Sequence, residues 1–202
     1  MRFSVINMLA LAGAAAGFYV PAGQASGVYA VSYNEDGSEN HTRLGDVDTA
    51  KKVFAVRGET LAKRTGAVTC DPTEAVLNGN DNGAAATALA NQCGAGAAVG
   101  ARLNYYSIVG CSVAYFCNMK SHPQVCTSGN AWASFHDVND RCGANVPGWE
   151  VYYDSDGDDR YGYQWVCTYP GSHFCNENRQ AQAIPSTGFG ETKICFLTRP
   201  NS

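Results

Sequence analysis

Three histidines follow Arg64 in this chain: His122, His136 and His173. An imidazole moves protons near neutral pH, so His136 or His173 together with Glu150 would form an acid–base pair. None of the histidines has the spacing of a metal-binding pair such as HExxH, and the chain has no GxSxG nucleophile elbow. We therefore predict a non-enzymatic protein without a metal or a cofactor. A small hydrolase or ribonuclease stays as an alternative.

The acidic run from Asp154 to Asp159 invites a calcium interpretation. An EF-hand loop that begins at Asp154 would need glycine at its sixth position and a bidentate acid at its twelfth. Those positions hold Asp159 and Trp165. The run is better explained as a solvated hairpin loop.

Aromatic side chains recur at alternate positions on the two segments that flank this loop. Alternation places them on one face of each strand, where they would either bind a sugar ring or a protein partner, or form core beneath the helices. The opposite face would carry Glu150 and Tyr152 as an ordinary wet surface. The candidate binding residues are Trp149, Tyr153, Tyr161, Tyr163 and Trp165.

All nine cysteines lie after Arg64. They contain no CxxC pair, which disfavours a metal site, and this density is typical of a secreted disulfide framework. The odd number leaves one cysteine over, so up to four bridges form, each contributing roughly 2–4 kcal/mol. The cysteines are Cys70, Cys93, Cys111, Cys117, Cys126, Cys142, Cys167, Cys175 and Cys195.

The N-terminus has the pattern of a secretory signal peptide. Arg2 precedes an apolar run from Val5 to about Ala16 that is too short to span a bilayer. Gly23 and Ala25 predict cleavage after Ala25, and residues 14–16, all alanine, offer an earlier site. No later stretch approaches 18 apolar residues, so we expect a secreted, extracellular protein without a membrane anchor.

Lys63-Arg64 is a candidate site for a dibasic protease of the secretory pathway, although a solvated pair at a helix end would look the same. Composition changes at this point, because residues 26–64 hold no cysteine. Asn40 begins an Asn-His-Thr glycosylation sequence within that stretch. The chain thus divides into a signal peptide (1–25), a pro-segment (26–64) that folds against its domain, and a cysteine-rich mature domain (65–202).

Two helices and several strands account for the mature domain. Helices are predicted before Cys93-Gly94, with Asp81 or Asn82 as the N-cap, and before Cys142-Gly143, with Thr127 or Ser128 as the N-cap. Residues 70–82 are predicted to be rich in turns. Strands or hairpins are predicted at 101–118, 149–153 and 161–167, and an edge strand at 194–197. In the pro-segment, a single strand is predicted at 27–33, and weak helical spacing follows from Asp46 to Lys63. The fold class is α+β: a small disulfide-rich α/β sandwich whose mixed or antiparallel sheet carries both helices on one face.

The helix, the hairpin and the strand cysteine recur about 50 positions later. Cys93 and Cys142 end the two helices, and Cys117 and Cys167 follow aromatic strands. Internal duplication and coincidence both explain this spacing.

The charge balance also limits the partners. Seven Lys and Arg stand against twelve Asp and Glu after Arg64, which disfavours nucleic acid and anionic membranes.

The order of signal peptide, cysteine-free pro-segment, Lys63-Arg64 and cysteine-rich domain resembles the small secreted effectors of filamentous fungi. Short stretches around Cys93, Cys117 and Cys142 (Asn-Gln-Cys-Gly, Ser-Val-Ala-Tyr-Phe-Cys and Asp-Arg-Cys-Gly) are similar to fungal cysteine-rich proteins, including the α/β-sandwich killer toxins and necrosis-inducing effectors. The resemblance implies cleavage by a kexin-type protease and a role in virulence or antagonism.

We therefore expect a secreted effector that binds a host or competitor protein, or a cell-wall glycan, after dibasic processing. An extracellular carbohydrate-binding module is the alternative outside the effector class.

Overall fold

The computed structural model describes residues 17–47, 66–71, 76–154, 157–165 and 173–175. Within them the protein is α+β, with two helices packed on one face of a seven-stranded antiparallel sheet, so the predicted fold class is confirmed. The strands in chain order are β1 (Phe18–Tyr19), β2 (Gly27–Tyr33), β3 (Glu39–Gly45), β4 (Ala67–Cys70), β5 (Ala97–Val99), β6 (Asn104–Val109), β7 (Ser112–Asn118), β8 (Gln124–Cys126), β9 (Gly148–Asp154), β10 (Gly157–Trp165) and β11 (His173–Phe174).

The main sheet has the order β3-β2-β6-β7-β10-β9-β4. Two short pairs, β1 with β11 and β5 with β8, lie outside it. Every pairing among the described strands is antiparallel. The sheet therefore includes strands from both sides of the Lys63-Arg64 pair.

Helix α1 spans Gly79–Cys93 and helix α2 spans Ser128–Cys142. Thr127 caps α2 as predicted, through a hydrogen bond from the Asn130 amide to its hydroxyl. The predicted start of α1 is too late. Asn78 is its N-cap and accepts hydrogen bonds from two amides of the first turn, so the helix includes the glycine- and asparagine-rich stretch that the sequence assigns to a turn.

Both predicted hairpins form. The turn between β6 and β7 contains Gly110 at φ +55°, a conformation that glycine adopts without steric cost. β9 and β10 pair from Asp154 opposite Gly157 onward. Because β7 and β10 pair with each other, the two hairpins form the middle of the sheet.

Three disulfides join the described cysteines: Cys70–Cys142, Cys93–Cys126 and Cys117–Cys175. Cys111 is also disulfide-bonded, to a partner outside the described residues. The predicted disulfide framework is thus confirmed for this part of the chain.

The pairing is reciprocal between the two helices. The last residue of α1, Cys93, is bonded to the cysteine just before α2, and the last residue of α2, Cys142, is bonded to the cysteine that precedes α1. Each helix has 15 residues, and each packs on the hairpin that follows it. This arrangement is compatible with the internal duplication that the cysteine spacing suggests.

The sheet separates two hydrophobic clusters. The helix-side cluster packs the buried faces of α1 and α2 on Phe116 and Tyr161. The opposite cluster joins Phe18 and Tyr29 from before the dibasic pair to Tyr106, Tyr115 and neighbouring residues from after it. The fold therefore depends on side chains from both sides of that pair.

None of the helices in the described part of the chain is long and apolar enough to cross a membrane. Four sequence features lie outside the described residues: the predicted strand at 194–197, Cys167, Cys195 and the weak helical pattern before Lys63.

Gly162 provides a test of this packing, because a side chain there would meet residues of the opposite cluster. A Cβ there would lie 2.6 Å from the Tyr115 hydroxyl and 2.7 Å from Trp149 Cβ. We expect Gly162→Ala to lower the free energy of unfolding by about 2 kcal/mol, measured by chemical denaturation. Gly45→Ala is the control, since a Cβ at Gly45 meets nothing within 4 Å. Equal effects of the two changes would contradict the described register.

Candidate functional site

The N-terminal segment, residues 17–47, is built into the fold rather than attached to its surface. Its strand β2 lies between β3 and β6 and pairs with β6 from Gly27 opposite Ile108 to Val31 opposite Asn104. Alternation directs Tyr29 and Val31 toward the cluster opposite the helices, where both are buried. The strand that the sequence predicts at residues 27–33 is confirmed.

Aromatic stacking joins this segment to the cysteine-bearing part of the sheet. The ring of Tyr106 stacks on Tyr29 at 4.9 Å and on Phe18 at 5.2 Å between centroids, and Phe18 stacks in turn on Phe174 at 5.1 Å. None of these four side chains is more than 3% exposed. Offset aromatic pairs contribute about 0.5–1.5 kcal/mol each beyond the area they bury.

A chain of hydrogen bonds crosses the same contact. The Glu39 carboxylate accepts from the Tyr19 amide at 3.0 and 3.1 Å and lies 3.0 Å from His41 Nε2, and His41 Nδ1 lies 3.2 Å from the Tyr106 hydroxyl. Burial raises the pKa of Tyr106, which keeps its hydroxyl protonated. In the neutral tautomer in which His41 donates from Nε2 to Glu39, this hydroxyl donates to Nδ1.

This Tyr–His–Glu arrangement resembles a catalytic relay in connectivity only. Tyr106 is 0% exposed, beneath Phe18 and Tyr29, so no substrate reaches its hydroxyl in this fold. The relay fixes β1 and β3 onto the sheet. Sequence reasoning missed it, although Glu39 and His41 are two residues apart and therefore share one face of a strand.

No disulfide holds the N-terminal segment, because the chain has no cysteine before Cys70. All three described bridges tie together elements that follow Arg64. Lys63 and Arg64 themselves lie outside the described residues, in the stretch between β3 and β4. Cleavage there would leave the segment held by non-covalent contacts alone.

Asn40 lies on β3 between Glu39 and His41, whose side chains point to the face of the sheet that carries the relay. Its own side chain is exposed. Since β3 is an edge strand, a glycan on Asn40 would extend into solvent without disturbing the relay.

A buried carboxyl group lies on the helix side of the sheet. Glu150 is 1% exposed, and its Oε2 accepts a hydrogen bond of 2.7 Å from the Tyr152 hydroxyl, which in turn is 2.8 Å from Ser134 Oγ on α2. Gly66 covers the group so closely that a Cβ there would collide with the carboxylate. Burial raises the pKa of Glu150, and the nearby Asp137 carboxyl adds to this effect.

The expectation that Glu150 and Tyr152 form a wet surface is therefore wrong. The reason is register: Glu150 is directly opposite Tyr161, so both point toward the helices, whereas Trp149 is opposite Gly162 and points to the other face. Trp149 on β9 and Tyr161 on β10 therefore lie on opposite faces of the sheet. Sequence spacing within each strand could not supply this relation between strands.

The strand register also determines which face of the sheet two of the candidate binding residues occupy. Tyr161 is 1% exposed and packs against Phe116 with a tilted ring at 4.6 Å between centroids, which is the core alternative that the sequence left open. Trp149 is half-buried, with the Arg160 guanidinium 5.8 Å from its ring centre. The side chains of Tyr153, Tyr163 and Trp165 lie outside the described part, although their backbones belong to β9 and β10.

The histidines after Arg64 do not form the predicted acid–base pair within the described residues. His136 is exposed on α2, and its ring is tilted against that of Trp132 at 6.1 Å between centroids, while Glu150 accepts a hydrogen bond from Tyr152. His122 lies in the loop before β8. The backbone of His173 is in β11, and its side chain is not described.

The acidic run differs from a solvated loop at its last residue. Asp159 lies in β10 and forms a 3.2 Å ion pair with Lys120, with both side chains at most 7% exposed. Among the described residues, no group of three or more His, Cys, Asp or Glu side chains could hold a metal ion.

Comparison with known protein families, curated proteins and solved structures finds no match to this chain.

Glu150 gives a pH-dependent prediction. Because its pKa is higher in the folded state than in the unfolded chain, protonated Glu150 contributes stability that is complete below about pH 4.3 and is lost as pH rises through the raised pKa. We therefore expect Glu150→Gln to gain stability relative to the parent as pH rises from 4 to 8, measured by chemical denaturation at each pH.

Asp140→Asn removes an exposed carboxyl from α2 and serves as the matched control. A gain of the same size and pH dependence in both variants would contradict the special environment of Glu150.

Proposed function

We propose that this protein is a secreted, non-enzymatic effector that binds a host or competitor protein after cleavage behind Arg64. One observation carries the proposal: the N-terminal segment supplies a sheet strand and part of a core, yet no disulfide links it to the rest. The dibasic pair lies in the only chain connection between the two parts.

Cleavage would change the thermodynamics of the contact between the segment and the sheet. In the intact chain the segment cannot diffuse away, whereas after cleavage its association becomes a bimolecular equilibrium that depends on concentration. The segment would then serve first as a folding partner for the aromatic cluster. It would later become a ligand that another molecule can replace.

The surface beneath the segment is the binding face in this proposal. Release would expose the edge of β6, with its unpaired backbone groups, and an apolar face containing Tyr106, Ile108, Val113 and Tyr115. An edge strand beside apolar pockets recognises an extended peptide, through main-chain hydrogen bonds and alternate apolar side chains. A partner protein with such a segment would occupy the position of β2.

The test uses cleaved and uncleaved protein from the same secreted chain. Lys63→Ala/Arg64→Ala supplies the uncleaved form, and a fluorescent synthetic peptide of residues 26–47 is the probe. We expect the peptide to bind the cleaved form, seen as increased fluorescence anisotropy, and to be excluded from the uncleaved one.

Two peptide variants refine this experiment. Tyr29→Ala should weaken binding by about 3 kcal/mol, or roughly 100-fold, because it removes the ring that stacks on Tyr106. Thr42→Ala is the control, since Thr42 is exposed. If the wild-type protein is secreted without cleavage after Arg64, the proposed processing step does not occur and the proposal fails. Cleaved protein that ignores the peptide would refute the binding face.

A further inference from the structure

Phe18 is a core residue of this fold. Its side chain is 0% exposed and stacks on both Tyr106 and Phe174. The antiparallel pairing of β1 with β11 places Phe18 opposite Phe174 and Tyr19 opposite His173. Val20, also buried, belongs to the same cluster. A chain that began at Ser26 would lack all of β1 and would leave an aromatic face uncovered.

The small residues that favour cleavage after Ala25 have structural roles instead. Gly23 has φ +76° in a turn closed by a 3.1 Å hydrogen bond from the Gln24 amide to the Pro21 carbonyl, a conformation that favours glycine. The carbonyl of Ala25 accepts a 2.8 Å hydrogen bond from the Tyr29 hydroxyl. Residues 21–25 thus form the connection between β1 and β2.

The earlier site satisfies the sequence requirements as well. Residues 14–16 are all alanine and match the small-x-small pattern before a signal-peptide cleavage point. The residues from Val5 to Leu11 then form an apolar region of the usual length. Cleavage there keeps every residue that the aromatic cluster uses.

We infer that the signal peptide ends at Ala16, so that the exported chain begins at Gly17 and carries Phe18 as a core residue. In this step water hydrolyses the peptide bond between Ala16 and Gly17, which leaves a carboxylate on Ala16 and an ammonium group on Gly17. The inference is independent of the proposed binding function, because it concerns the chain before any cleavage at Arg64.

N-terminal sequencing and intact mass of the secreted Lys63→Ala/Arg64→Ala variant test the inference, because this variant keeps the N-terminal segment on one chain. We expect the sequence to start at Gly17. In this background, Ala16→Leu should abolish that start, whereas Ala25→Leu, at an exposed position, should leave it unchanged. A start at Ser26 that Ala25→Leu abolishes would overturn the inference.

Stability gives a second, separate readout in the same background. Phe18→Ala should lower the thermal midpoint by roughly 10 °C, because it empties a buried aromatic site. Tyr19→Ala is the matched neighbour: its side chain is 40% exposed, so a smaller drop than that of Phe18→Ala is expected.

Phe18→Leu retains an apolar side chain and should show a smaller drop, which keeps the test usable if Phe18→Ala is not secreted. An unchanged midpoint in both Phe18 variants would mean that residue 18 is absent from the exported protein, and the inference would fail.

Discussion

The stack of Phe18, Tyr106 and Tyr29 is the contact on which one whole side of this protein depends. Tyr106 belongs to β6 and follows the dibasic pair, whereas its two stacking partners precede it. Without them, the aromatic cluster opposite the helices loses its cover and β6 becomes an edge strand. The N-terminal segment is therefore a structural element of the sheet and cannot be considered only as an export signal.

The helices and the N-terminal segment are held to the sheet by different forces. On the helix side, reciprocal disulfides tie each helix end to the chain just before or near the other helix, which limits the unfolded state and holds both helices in place. On the opposite side, the N-terminal segment is held by stacking, by strand pairing and by the Glu39–His41–Tyr106 relay. A single cut in the connecting chain would affect only the second set, as the proposed activation requires.

Local sequence signals were enough for both helices, for β2 and for the two central hairpins. Thr127 before α2, the Cys-Gly helix ends, Gly110 between β6 and β7, and the alternation of residues 27–33 each specify a neighbouring piece of backbone. They act over a few residues, so they can be identified without knowledge of the rest of the fold. Asn78 was missed because glycine and asparagine after it are also typical of turns, and packing of α1 on the sheet decides between them.

By itself, the sequence determined the α+β class, a disulfide-rich framework and the cysteine-free character of the N-terminal part, because these follow from composition and short-range pattern. Only the tertiary structure decided that Glu150 is buried with Tyr161, that Trp149 faces the other way, and that Phe18 fills a core on Tyr106. Those facts depend on strand order and register, since a strand presents its two faces equally until a neighbour fixes which one is covered.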